Sequence, residues 1–286
     1  MNAEIISVGT ELLLGAVVNT DTAIVARALS ELGIDLMHTC VVGDNPRRLK
    51  EAVEGAIARS GLLIMTGGLG PTTDDLTKET TAAAAGKKLV LHEESLRRIE
   101  NYFNEKHVSE NQAKQAWLPE GCTVLQNDNG TAPGCAFQAE NGCTIIMLPG
   151  PPSELAPMLD NYAVPYLKKS QEYTIVSHNV HIYGRGEAPV AQMMDDLMDS
   201  ENPTLAPYAN EGECYLRVTA KAPSHEEADQ MCWTLIEEIK KRLGNFVYSV
   251  DVDSLEELVV KELSAQGKTL ATAESCTGGL LSKRIT

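Results

Sequence analysis

Nowhere in the 286 residues is there an apolar run of 18, and the N-terminal stretch MNAEIISVGT has neither a basic segment nor a long apolar core. The expectation is therefore a chain with no signal peptide and no helical membrane span. The seven cysteines are an odd count and never fall as CxxC. That argues against a disulfide framework or a thiolate zinc site and for a reducing compartment, with the cytoplasm as the expected location. Positive charge is scarce: 24 Lys and Arg stand against 40 Asp and Glu, a formal charge of 24 − 40 = −16. A field of that sign disfavours nucleic acid and anionic membranes as partners, though it leaves room for a local positive pocket. Neither G-x-x-x-x-G-K-[ST] nor a spaced G-x-G-x-x-G is present, so the chain carries no P-loop and no dinucleotide fingerprint. The six histidines, His107 among them, show no metal-ligand spacing; His178 and His181, three apart on an expected strand, face opposite sides.

What is present is a sizeable apolar fraction, 43%, and length enough for two ordinary domains. AEIISVG, IDLMHTCVVG and LLIMTGG read as strands, and NTDTAIVARALSELG and NPRRLKEAVEGAIARSG as helices between them. Strand and helix in strict turn predict an α/β domain, a mainly parallel sheet covered by helices on both faces. A helix follows at HEESLRRIENYFNEKH, then a less regular region, then the strand and turn CTIIMLPGPPSE. The expected division is a first domain over 1–170, a small α+β domain over 171–250 and a third segment over 251–286. That last segment reads as helix, strand and Gly-turn into a new helix, the opening of a domain whose remainder is missing; it is expected to dock elsewhere or to be mobile. Trp117 and Trp233 lie in apolar contexts and are expected in the core.

In an open parallel sheet, ligands bind beyond the carboxyl ends of the strands. TGGLGPTTDD, Thr66 to Asp75, falls there. Gly67, Gly68 and Gly70 permit positive φ and close backbone approach, and consecutive free amides attract an anion, most simply a phosphate. Asp74 and Asp75 have two readings: an N-cap with a first-turn acid, or a hard-cation ligand beside the phosphate. Other loops reach the same edge: Gly9, Thr10, Glu11, Gly15, Asn19 and Asp21 after the first strand, Asp44 after the second, Gly150, Ser153 and Glu154 after the last. Each alone is ordinary turn chemistry. Four loops converging with Glu11, Asp44, Asp75 and Glu154 among them point to a site. Lys114 in NQAKQA reads either as an anion contact or as a solvated helix lysine.

GTELLLGAVVNTDTAIVARALSELG, TGGLGPTTDDLTKE, NQAKQAWLPEG, GTAPG and LPGPPSE resemble the competence/damage-inducible CinA family. Its first domain is similar to the molybdopterin-binding MoaB/MogA fold, whose glycine loop matches Thr66, Gly67, Gly68, Gly70, Asp75 and Thr77. GRGEAPV and PTLAPYANEGECYLRVTA resemble the family's KH-like middle domain. The family's common G-I-G-E-S stands here as Gly184-Arg185-Gly186-Glu187-Ala188, and the GXXG loop of nucleic-acid-binding KH domains is absent. TLATAESCTGGLLSKRIT resembles the start of a nicotinamide-nucleotide amidase domain.

The resemblance implies an ADP-ribose pyrophosphatase dependent on Mg, Mn or Co and yielding AMP and ribose 5-phosphate. Asp75, Asp44 and Glu11 are the catalytic candidates, with Asp44 and Asp75 the metal candidates. Gly9, Thr10, Asn19, Thr20, Thr66, Gly67, Gly68, Gly70, Gly150, Ser153 and Glu154 are the substrate-binding candidates. Two other roles compete: a molybdopterin- or nucleotide-binding module without turnover, and an assembly scaffold regulating the amidase domain. A homodimer is expected, with the middle domain as packing module. Ser275 and Cys276 at the Gly turn read either as a nucleophile or as a polar cap beside a packed thiol. Deamidation of nicotinamide mononucleotide is expected only of a chain with a complete third domain.

Overall fold

Continuous apolar runs set the centre of the first unit. The computed structural model of the protein describes residues 2–105, 108–169, 173–210, 212–252 and 254–286. The chain forms two compact units, 1–171 and 172–286. His107 and the boundary expected at 170/171 lie outside the described residues.

The first unit begins with β1 (Asn2–Val8), α1 (Thr10–Leu13), α2 (Asp21–Glu31), β2 (Asp35–Val42), α3 (Pro46–Arg59) and β3 (Leu62–Thr66). It continues with α4 (Thr77–Ala84), β4 (Leu89–Leu91), α5 (Glu93–Phe103), α6 (Glu110–Lys114), β5 (Trp117–Pro119) and β6 (Thr123–Leu125). β7 (Gly134–Gln138), β8 (Thr144–Leu148), α7 (Pro152–Met158) and α8 (Val164–Lys168) complete it. The six-stranded sheet has the order β2-β1-β3-β8-β7-β6. The pairings β1–β2, β1–β3 and β3–β8 are parallel. β7 and β6 add an antiparallel edge, which the sequence pattern conceals because β6 is only three residues long.

Both sheet faces are covered, so a central strand is apolar throughout. In β3, Leu63 and Met65 pack with Leu49 and Val53 of α3. Leu62 and Ile64 pack on the other face with Val25 and Leu29 of α2 and Leu155 of α7. Asn45 starts α3, its side chain accepting from the Arg48 amide, with Pro46 at the first helical position. β4 and β5 form a separate antiparallel pair. There Leu118 is buried and Trp117 points out, 44% exposed, against the expectation of a core residue. Alternation along a strand puts neighbours on opposite faces.

The second unit comprises β9 (Thr174–Ile182), α9 (Glu187–Met193), α10 (Asp195–Met198), β10 (Thr204–Asn210), β11 (Glu213–Ala222), α11 (His225–Leu243) and β12 (Val247–Val250). Its sheet runs β10-β11-β9-β12, antiparallel throughout. Val176, Val180 and Ile182 of β9 pack with Cys232, Ile236 and Ile239 of α11. His178 faces that helix, its ring 5.2 Å from Trp233. His181 lies on the other face, stacked on Tyr215, as the strand period predicts. Trp233 is 36% exposed and not a core residue; one of its contacts is the His178 ring.

α12 (Leu255–Ala265) and α13 (Leu280–Ile285) follow. The strand expected between them does not form: residues 268–274 are irregular and largely exposed. No described strand lies alongside to take up its backbone hydrogen bonds, and an unpaired strand in water gains nothing over coil. Glu274 instead accepts from the Ser282 hydroxyl and amide and from the Leu281 amide, which holds its carboxyl down to about 2. Ser275 and Cys276 are exposed, so the packed-thiol reading of Cys276 does not hold.

Candidate functional site

Three neighbouring parallel strands end at the same edge, and their loops meet. β1 leads into Gly9–Thr20, β3 into Gly67–Leu76, and β8 into Pro149–Pro151. The register aligns Ser7 with Thr66 and Thr66 with Leu148. Beyond them lies a cavity of about 490 Å³. From the first loop it is lined by Glu11, Asn19 and Thr20; from the second by Thr66, Gly67, Gly68, Gly70 and Asp75; from the third by Gly150 and Glu154. Gly9, Thr10, Ser153 and Asp44 do not line it. Asp44 is engaged nearby: its Oδ2 accepts from the Thr10 amide at 2.9 Å, and its own amide donates to Thr10 Oγ1 at 3.1 Å. That pair anchors the start of α1, one residue before Glu11.

The glycine loop is specified atom by atom. Gly67 has φ 85° and Gly68 φ 65°. A Cβ on Gly67 would sit 2.4 Å from the Val8 carbonyl, and one on Gly68 2.2 Å from Thr77 Oγ1. Thr77 is buried and its hydroxyl donates to the Gly67 carbonyl at 2.8 Å. The Gly67 amide donates to Leu148 O at 3.1 Å. The amides of Gly68, Leu69 and Gly70 have no acceptor among the described residues, leaving three consecutive donors for an anion.

Asp75 is not a first-turn acid, because α4 begins at Thr77. Its Oδ2 accepts from the Thr72 amide at 2.8 Å and the Thr72 hydroxyl at 2.6 Å, closing a turn before the helix. The carboxylate lies against Gly70, where a Cβ would be 2.6 Å from Oδ2. Asp74 bonds the same hydroxyl, which with its own backbone amide pulls its pKa down. Lys114 Nζ donates to the Asp75 carbonyl at 2.6 Å and pairs with Glu79 at 3.4 Å, so it clamps the loop. Lys78, 2% exposed, donates to the carbonyls of Gln115 (2.7 Å) and Lys114 (3.3 Å), and burial pushes its amine down to about 8. Glu154 Oε2 accepts from Asn127 Nδ2 at 2.6 Å. Asn19 is structural as well as cavity-lining: its Oδ1 accepts from the Thr22 amide at 3.1 Å and its Nδ2 donates to Ser7 Oγ at 3.1 Å.

Three further polar residues of the cavity have no role in the sequence reading: Asp21, Gln115 and Thr131. Thr131 Oγ1 donates to Gln115 Oε1 at 2.8 Å. Asp21 opens α2, is 8% exposed and its carboxylate has no hydrogen-bond partner among the described residues; burial raises its pKa to about 6. The sequence marks it only as an acid at a strand end. Its burial comes from tertiary packing, which no local pattern reveals.

No group of three His, Cys, Asp or Glu side chains among the described residues is arranged to hold a metal. Asp75 lines the cavity and Asp44 does not. A magnesium-like ion needs less: one or two carboxylates, with substrate phosphates and water supplying the rest. Glu11, Asp75 and Glu154 fit that demand, since all three reach one cavity and each keeps an oxygen with no hydrogen bond among the described residues.

Residues 4–169 match the family described as a probable molybdopterin binding domain. Residues 177–249 match the damage-inducible protein CinA KH domain, and 252–286 the CinA C-terminal domain. A CinA-like protein of Desulfovibrio desulfuricans is 50% identical over 286 residues, spanning 100% of this chain and 67% of that protein. A CinA-like protein of Dictyoglomus turgidum is 50% identical over 288 residues, spanning 100% of this chain and 70% of that one. The crystal structure of the protein CinA from Thermoplasma acidophilum is similar at 34% identity and a TM-score of 0.54, covering 57% of this chain and 95% of that chain.

Proposed function

The chain belongs to the CinA family, and from that premise we propose that its first unit hydrolyses the pyrophosphate bond of ADP-ribose to AMP and ribose 5-phosphate with a divalent ion. The observation that supports this is the cavity's pairing of three free consecutive amides, at Gly68, Leu69 and Gly70, with acids on the facing loops. A diphosphate needs such an arrangement: donors for the anionic oxygens and carboxylates for the cation that accompanies them. Glu11, Asp75 and Glu154 would hold Mg, Mn or Co, and such an ion supplies charge neutralisation at the phosphates.

The chain's own groups do the rest. The amides of Gly68–Gly70 bind the anion and are held in place by Thr77 and the Gly67 turn. Asp75, fixed by Thr72 and through its carbonyl by Lys114, orients what it touches without moving. Asp44 acts one step away, fixing Thr10 and so the direction of Glu11. Thr20 is the polar group on the first loop for a ribose hydroxyl. Incubation with ADP-ribose and each metal, followed by nucleotide separation, tests the reading; AMP proportional to enzyme is the expected result, and none with any metal refutes it.

A second reading has its own support in the family description of residues 4–169. A molybdopterin-like or nucleotide ligand would then be held without turnover. Calorimetric binding of ADP-ribose with no product would favour it.

A further inference from the structure

Four acids reach the cavity, and their surroundings differ. Asp75 Oδ2 is engaged by the amide and the hydroxyl of Thr72. Glu154 Oε2 is engaged by Asn127. Glu11 is exposed on α1 and folds back over Gly9, where a Cβ would meet its carboxylate at 2.3 Å. Asp21 alone is more than nine-tenths buried, lines the cavity and has both oxygens without a hydrogen bond among the described residues.

A buried, unpartnered carboxylate costs stability. Its position should lower that cost, since an acid in the first turn of the 11-residue α2 faces the positive end of the helix. Desolvation nevertheless dominates and pushes the carboxyl up to about 6. The neighbouring side chains leave it alone: Thr22 is bonded to Ser7, and Asn19 to Ser7 and the Thr22 amide. No cationic side chain is among the forces acting on it. The fold thus keeps a bare carboxylate in the wall of the cavity that the glycine loop also lines.

We propose that Asp21 is the general base that takes the proton from the attacking water. This rests on the hydrolytic reading of the cavity. The water oxygen forms a bond to one phosphorus, and the bridging P–O bond breaks. The bridging oxygen leaves as an oxygen of the second phosphate monoester. The water proton passes to Asp21 Oδ and from there to solvent. A base is effective when its lone pairs are not engaged elsewhere and its pKa is raised from the ordinary carboxylate range towards neutrality; the free oxygens of Asp21 in the cavity suit that role, and burial raises its carboxyl to about 6.

The test uses the whole chain, ADP-ribose and the best metal, with kcat/KM measured from pH 5 to 9. Wild type is expected to lose activity on the acid side with a midpoint near the Asp21 value, about 6. Asp21→Asn is expected to lower kcat by at least roughly 10²-fold, to flatten that limb and to bind AMP within about threefold of wild type. Asp21→Glu, which keeps the carboxyl, is expected to recover part of the rate. A folded Asp21→Asn variant with wild-type turnover and an intact acid limb overturns the assignment while leaving hydrolysis standing. Absence of AMP from the wild type overturns the hydrolytic reading and the assignment with it.

Discussion

Asp75 and Asp21 make opposite predictions because one carboxylate has an oxygen anchored by Thr72 and the other has neither oxygen hydrogen-bonded among the described residues. Asp75→Asn keeps an oxygen for the Thr72 amide and hydroxyl, so the turn should survive and the melting temperature change little. What it removes is charge at the cavity wall; turnover should fall by at least roughly 10²-fold, and near-wild-type turnover in the folded variant would refute the role. Asp21→Asn should instead stabilise the fold. The native carboxyl titrates at about 6 against an ordinary 3.8, so the native state holds its proton more tightly than the unfolded chain. The resulting penalty is absent below about pH 4, grows as pH rises to about 6 and is complete above it. Relief of about 2–3 kcal/mol is expected at pH 7.5 and almost none at pH 4, measured by denaturant unfolding. A variant no more stable at pH 7.5 would show that the carboxylate is solvated.

At the scale of elements, His178 ties three together. It is on β9, its Nε2 bonded to Asp229 of α11 at 2.8 Å and its Nδ1 to Asp251 just beyond β12. Burial pushes the imidazolium pKa down, but the hydrogen bonds and charges of Asp251 and Asp229 outweigh it, and the net shift is upward. The contribution is therefore fully present below the ordinary 6.5 and lost as pH rises through the raised value. The thermal midpoint of the second unit should fall across that interval, and His178→Gln should remove the dependence; differential scanning calorimetry decides. Element recognition from sequence divides along similar physical lines. α2, α3 and α11 are long enough to display a period, and the buried β1 and β3 show as continuous apolar runs. β4, β5 and β6 are three residues each and show none. Residues 268–274 read as a strand, yet a strand exists only beside another, and that condition is tertiary. The site follows the same division. Gly67, Gly68, Gly70 and Asp75 sit in one contiguous motif and are legible as a site; Gln115 and Thr131 lie in the motifs NQAKQAWLPEG and GTAPG, but that these segments reach the same cavity is tertiary information.

For the whole molecule, charge and assembly are the relevant quantities. A formal charge of −16 opposes both nucleic acid and a crowded association of like surfaces. We propose a homodimer, whose interface would have to be apolar enough to outweigh that repulsion. Sedimentation velocity over a wide concentration range, repeated at low and high salt, should show a dimer that strengthens with salt. A monomer throughout would remove assembly from the account. No helix of the described residues is long and apolar enough to cross a membrane.

Lys78, bonded to the carbonyl of the cavity-lining Gln115, is a clock. Near pH 8 about half of its amines would be uncharged and nucleophilic, far more than for a surface lysine. At 2% exposure, however, no acylating reagent can reach them while Nζ stays on the carbonyls of Lys114 and Gln115. Modification then waits for α4 to part from the 114–116 segment, and its rate counts those partings. Pulsed acetic anhydride with mass spectrometry would time them, with exposed Lys50 as the reference for reagent dose. A nucleotide filling the cavity should slow acetylation of Lys78 and leave Lys50 unchanged.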